Sequence, residues 1–303
     1  MKRFLRSHAL RSALALIGLV VGSVFATGGP AGATPTPVGL GTATPFAIRA
    51  GSGIMNTNAG TLITGNIGNA PGAGSQITGL TCTPPQVVGT IYQVSAGGPT
   101  PCTVTDPSLM TTVQSDAMTA FNHTSALPGA TPTVTNLSSL SPLVAGLYSF
   151  GHDPTANIQG TLTLDAQGDP NSVWIFQASS DLVTAPGSAV QFTNLPPGVL
   201  PAQMACNVFW TVGSSATIDT TSAFVGTVLA SASITVNNGA TIIGRLLAGN
   251  AAGAGGAVTL INDTITTPTG CPTLAAGTGG GPATPAGSGG ATGATVITPA
   301  FTG

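Results

Sequence analysis

Apolar and hydroxyl-bearing residues repeat with a period of eighteen toward the C-terminal end of the chain. Residues 215–232 and 233–250 read as one unit written twice: Ala216-Thr217-Ile218 aligns with Ile234-Thr235-Val236, and Phe224-Val225-Gly226 with Ile242-Ile243-Gly244. A third start, Ala257-Val258-Thr259-Leu260, follows six additional residues of Gly and Ala. Within each start the apolar side chains alternate with Thr, the period of a strand that buries one face. Eighteen residues carrying two or three short strands is the length of one coil of a β-solenoid. The pattern therefore predicts a mainly β fold of stacked coils, whose function is to be sought on a flat outer face as readily as in a pocket.

Elsewhere the same grammar is interrupted. Residues 46–53 and 62–68 are short apolar runs punctuated by Gly, as coil strands between corners should be. The stretch 81–105 is rich in Pro and Gly and reads as a capping insertion. Asp106-Pro107 then opens a helix predicted over 106–124, with Asp as N-cap and Pro in the first turn. Leu109, Val113, Ala117, Ala120 and Phe121 recur on it at helical spacing, until Pro128 and Pro132 end it. Leu162 and Leu164 alternate with Thr161 and Thr163. Val173-Trp174-Ile175-Phe176 and Val208-Phe209-Trp210 are denser and predict strands buried on both sides, their tryptophans included.

The ends differ from the middle. Lys2, Arg3, Arg6 and Arg11 precede the apolar run 13–25 and small-residue sites that place cleavage after 26 or 33, so 1–33 reads as a secretory signal peptide. The run is too short to favour a membrane span. Residues 34–43 read as a linker, 44–272 as the folded domain and 273–303 as a disordered Gly/Ala/Thr/Pro tail. Without the leader, Arg49 and Arg245 stand alone against eight acidic residues, all Asp. Charged residues are 5% of the chain, against about 25% in an ordinary globular protein. Such a surface offers no basic footprint for nucleic acid or anionic lipid. The four cysteines, Cys82, Cys102, Cys206 and Cys271, lack C-x-x-C spacing and in a secreted chain favour disulfides. Of the three connectivities, Cys82–Cys102 with Cys206–Cys271 is preferred, because the first pair brackets the local insertion and the second ties the closing segment back to the coils.

Chemistry for catalysis is sparse. Asp165 and Asp169 sit in a Gly/Pro turn, where Asp serves as a turn former. His152-Asp153 has no nucleophile motif beside it, and Arg245 is expected to satisfy backbone or Asp oxygens between coils. No metal set or phosphate loop is evident, so neither an enzyme nor a cofactor is predicted.

Longer stretches carry a family likeness. These are 160–171 running into Val173-Trp174-Ile175-Phe176-Gln177, the stretch Cys206-Asn207-Val208-Phe209-Trp210-Thr211, the run Gly244-Arg245-Leu246-Leu247-Ala248, and near the start Phe46-Ala47-Ile48-Arg49-Ala50-Gly51. Together, over about 44–271, they resemble the microbial ice-binding proteins. The resemblance implies a right-handed, three-faced, discontinuous parallel β-solenoid in which N-terminal coils pack beside C-terminal ones and one long helix lies alongside. It also implies ice as the partner, bound by a secreted monomer through a flat face rich in Thr, Ser and Ala. Members carry a Thr-Ala/Gly-x-Thr/Asn pattern there; Asn238-Gly239-Ala240-Thr241 and Thr184-Ala185-Pro186-Gly187 each depart from it at one end. The candidate ice-binding residues are accordingly Thr184, Ser188, Thr220, Asn238 and Thr241. Thr217, Thr235 and Thr259 form an alternative column on another face.

Overall fold

The computed structural model describes residues 35–83, 85–150, 155–251 and 255–271. The expected leader, the expected tail from 273 and the His152-Asp153 pair lie outside them. All strand pairs in the two sheets are parallel, and the strands stack into coils with three faces.

One face is a seven-stranded sheet. Its spatial order is Ala156–Ile158, Leu182–Thr184, Ala216–Ile218, Ile234–Val236, Ala257–Leu260, Gly53–Asn56 and Ile77–Thr78. The chain order is broken once: the coil written last in sequence pairs with the coil written first. The same break recurs on the other faces, where Thr241–Leu247 pairs with Phe46–Ala50 and Thr264–Thr266 with Leu62–Thr64. Ala223–Ala230 and Thr241–Leu247 are long enough to turn a corner and serve two faces. Gly226 makes that bend at φ 114°, and a Cβ there would meet the Val208 carbonyl at 2.8 Å. Glycine is required for both reasons.

Interior columns cross the break without interruption. Tyr148, Phe176, Trp210, Val228, Leu246, Ile48, Ile67 and Ile91 lie in successive register. The Phe176 and Trp210 rings stack at 4.1 Å, and the Trp210 indole N–H donates to the Val225 carbonyl at 2.9 Å. Trp174 and Trp210 are both buried, as their dense apolar runs predict.

The long helix, Pro107–Ala126, covers a second face. Asp106 caps it by accepting from the Leu109 N–H at 2.9 Å, and Gln177 donates to the Thr124 and Leu127 carbonyls at the other end. Its inward line is Met110, Val113, Ala117, Ala120 and Thr124, packed near Ile175, Phe209, Leu229 and Leu247. Leu109 and Phe121, expected on that line, sit at its margin and are only partly buried. Met110 instead packs directly over Gly68, where a Cβ would lie 2.5 Å from its terminal methyl.

Two boundaries shift. The segment expected as a linker packs on the helix, since Val38, Leu40 and Ala43 are buried there and Thr42 donates twice to Asp116 at 2.7 Å. The stretch 81–105 holds the strands Val87–Val88, Ile91–Gln93 and Thr103–Thr105, so it completes coils as well as capping them. Alternation was hidden there by Pro and Gly.

Both preferred disulfides are present, Cys82–Cys102 and Cys206–Cys271. The second spans 65 residues of sequence. On the loop-entropy account its removal by Cys206→Ser with Cys271→Ser lowers stability by about 4 kcal/mol, measurable by urea unfolding, with a steeper slope because the released denatured chain exposes more surface.

Candidate functional site

The helix covers the second face and leaves the other two facing solvent. On the third, Thr161, Ala223, Thr241 and Thr264 are exposed, beside a groove lined by Val190, Phe192, Pro201 and Ile243. On the seven-stranded, open face, strand alternation turns one residue per coil outward. Asn157, Val183, Thr217, Thr235, Thr259, Met55 and Thr78 stand in direct register, coil over coil. Parallel pairing sets them about 4.8 Å apart. Their neighbours along each strand, such as Ala216 and Ile218 or Ile234 and Val236, are buried to within 1%. The column is therefore held by a close-packed floor and cannot collapse inward.

No ionised group stands in this column. Two carboxylates flank it, and both are tied down. Asp219 accepts from Asn237 Nδ2 at 2.9 Å and from the Thr220 N–H at 2.7 Å, which hold its carboxyl below the usual range. The Ser215 N–H, donating at 3.0 Å, does the same for Asp181.

The alternative set, Thr217, Thr235 and Thr259, is brought together here on adjacent strands. The other five candidates separate. Thr184 is 1% exposed: Leu182, Val183 and Thr184 alternate in, out, in, so Val183 rather than Thr184 shares the register of Thr217. Its hydroxyl accepts from the Asp219 N–H at 2.7 Å and lies 3.1 Å from Ser222 Oγ. Ser188 is likewise buried, donating to the Ile158 carbonyl at 2.9 Å and to the Ala185 carbonyl. Thr184, Ser188 and Ser222 thus form a hydroxyl staple inside the corner between the open and third faces. Thr220 and Asn238 lie at that corner, where the Asn238 carbonyl accepts from the Thr221 N–H and its side chain from Asn262. Thr241 is exposed on the third face, in register with Ala223 and Thr264.

Sequence reasoning did not place Asn157, Val183, Met55 and Thr78 on the column. Alternation in Ile54-Met55-Asn56 was a usable signal for Met55; the others needed the register between coils. Among the described residues no three His, Cys, Asp or Glu side chains cluster as metal ligands. Asp165 and Asp169 accept from the N–H groups two residues on, at 2.9 and 2.8 Å, as turn formers do.

A family model described as ice-binding-like matches residues 48–266, from the first coil through the helix to the last strand of the third face. The chain belongs to the ice-binding-like family. It is 35% identical over 256 residues to an ice-binding protein of a Colwellia species, covering 84% of this chain and 92% of that one. It is 38% identical over 216 residues to an ice-binding protein of Nostoc sp. (strain HG1), covering 70% of each. Among solved structures it is similar to the ice-binding protein of the Antarctic ascomycete Antarctomyces psychrotrophicus, with 35% identity, a TM-score of 0.59 and coverage of 76% and 98%. The DUF3494 domain of Shewanella frigidimarina ice-binding protein 1 gives 28% identity, a TM-score of 0.64 and coverage of 77% and 99%. Family and fold agree with the resemblance read from the sequence.

Two expectations follow from the corner that supports the open face. Thr184→Val removes a buried acceptor from the Asp219 N–H and lowers stability by about 1–2 kcal/mol, read by chemical unfolding, without altering the outward column. Asp263 is fully buried in the same corner, accepting from the Ile261 and Ala240 N–H groups, and desolvation raises its carboxyl from 3.8 to about 6. A raised acid pKa means the folded state holds the proton longer. Its contribution is therefore full below about pH 4 and lost as pH rises through about 6. The lowered carboxylates Asp181 and Asp219 act only below 3.8, with the opposite sign. Thermal midpoints measured between those limits should fall with rising pH, and Asp263→Asn should flatten the profile.

Proposed function

We propose that this chain adsorbs to ice through its open seven-stranded face and so restrains ice growth or recrystallisation. The observation that supports the reading is the uninterrupted, uncharged, register-locked column from Asn157 to Thr78 on a rigid parallel sheet. The relatives described above bear the name ice-binding protein, which supports the same reading.

The physics of that surface suits a crystal of water better than a small ligand. Ice presents no charge and no shape to enclose. A threonine offers a methyl group that discourages disordered hydration and a hydroxyl that anchors a bridging water. Each contact is weak, but a preorganised array makes many at once with little added entropy loss. Charged groups would hold competing hydration shells, and here the nearest carboxylates are already hydrogen-bonded to protein. Thr217, Thr235 and Thr259 are the centre of the patch. Thr220 and Asn238 border it at the corner, and Thr184 and Ser188 act beneath it as supports. No catalytic step belongs to this reading. Two disulfides within the described coils and the leader-like N-terminus support secretion, with the folded domain acting as a monomer.

Substituting Thr235→Tyr at the centre should cut thermal hysteresis at least ~10-fold and abolish recrystallisation inhibition, because one bulky ring breaks planarity across several coils. Thr241→Tyr, on the third face, should leave both close to the parent. The reverse outcome would move the site to the third face. Unaltered ice growth in the presence of folded parent protein would remove the function altogether.

A further inference from the structure

Four successive coils turn the corner between the open and third faces with the same backbone. Gly187, Thr221, Gly239 and Asn262 each stand two residues before the register-matched Ala189, Ala223, Thr241 and Thr264. Each has a left-handed φ, of 69°, 55°, 79° and 57° in that order. Their N–H groups form a ladder from coil to coil: Gly187 donates to the Thr220 carbonyl at 2.8 Å, Thr221 to that of Asn238 at 3.1 Å and Gly239 to that of Ile261 at 3.2 Å. The stacking of the coils therefore fixes this conformation, whatever side chain each position carries.

Glycine and asparagine suit that backbone, and threonine does not. In the left-handed region the Cβ crowds the following carbonyl oxygen, and branching at Cβ makes the residue a genuine outlier. Thr221 is the one β-branched residue with positive φ among the described residues. Its side-chain hydrogen bond is local, from Oγ1 to the Thr220 carbonyl one residue back, at 2.7 Å. On either side of it in the ladder stand Gly187 and Gly239, where an added Cβ would lie 3.9 Å from Thr221 Oγ1 and 3.6 Å from Thr221 Cγ2. The side chain thus stands between two bare positions, exposed to solvent. Strain kept at an exposed residue that bonds only to its own neighbour points to a functional contact.

We propose that Thr221 is an ice-contact residue at the edge of the open face, extending the surface of Thr217, Thr235 and Thr259 onto the corner. The inference rests on the reading of that face as an ice surface. With its proton held by the Thr220 carbonyl, the Thr221 hydroxyl presents lone pairs to a bridging water, and its methyl stands beside them as in the column threonines. The N–H ladder fixes both groups before ice arrives, so their contact adds little ordering cost. At this one residue, stability is lowered and adsorption strengthened.

The test compares Thr221→Gly and Thr221→Asn with the parent chain in thermal unfolding and in thermal hysteresis. Both replacements suit the backbone, as Gly239 and Asn262 do in the adjacent coils. Thr221→Asn relieves the strain without the added chain freedom of glycine. Tm should hold or rise, by up to about 3 °C, in both variants. Thr221→Gly should nevertheless lower thermal hysteresis about threefold, because one contact leaves a multivalent array. A side chain that served only the fold would not move the two readouts in opposite directions. Parent-level hysteresis in Thr221→Gly, or a fall in Tm in both variants, would overturn the inference. A parent that leaves ice growth unaltered would instead sink the open-face reading. An active parent silenced by Thr235→Tyr but not weakened by Thr221→Gly would remove Thr221 alone.

Discussion

The parallel seam between the last-written and first-written coils is the contact on which the rest depends. Every other strand pair joins residues no more than 34 positions apart, as Trp174 with Val208, so its pairing is comparatively local. At the seam, Ile48 must find Leu246 and Ile54 must find Val258 across some two hundred residues. Closing that distance costs loop entropy before any hydrogen bond forms. The chain offsets it with three parallel strand pairs, one on each face, and with both buried arginines. Arg49 binds carbonyls beyond the far strand, and Arg245 reaches back to Thr44. Buried cations are costly unless hydrogen-bonded, and these two occupy the one place where a specific long-range register has to be chosen.

The seam also makes the outward column continuous. Without it, Thr259 would end a sheet and Met55 would begin another. With it, seven strands share one register, and the face is long enough for weak contacts with a lattice of water to accumulate. The helix completes the division of labour. By covering a second face with an apolar stripe, it turns strands such as Trp174–Ala178 and Val208–Val212 into buried core, and it leaves the seven-stranded sheet and the third face toward solvent.

Scarcity of charge serves both ends. Ion pairs play no visible part in the described coils; most of their polar groups are satisfied by backbone ladders, Asx-type turns and hydroxyl staples such as Thr184 with Ser222. The same economy leaves the open face with uncharged side chains and with carboxylates engaged at its border. A cation held without a counter-ion, as at Arg245, is the exception this composition creates.

Much of the architecture was legible in the residues themselves. The eighteen-residue repeat, the alternation of Thr with Ile, Val and Ala, the Asp-Pro start of the helix and both cysteine pairings reflect interactions between near neighbours or simple counting, and these survive in the folded chain. The parity of Thr184 and Ser188 did not follow from motif alignment, because insertions of unequal length between coils shift which residue points outward. Nor could the packing of residues 38–43 on the helix, or the strands hidden in 81–105, be read where Pro and Gly mask periodicity. Local sequence thus determined what kind of coil forms and which side of a strand is apolar. Only the tertiary structure decided which coils adjoin, which face the helix covers and which hydroxyls reach solvent, because register between distant strands is set by packing across the seam and leaves no period along the chain.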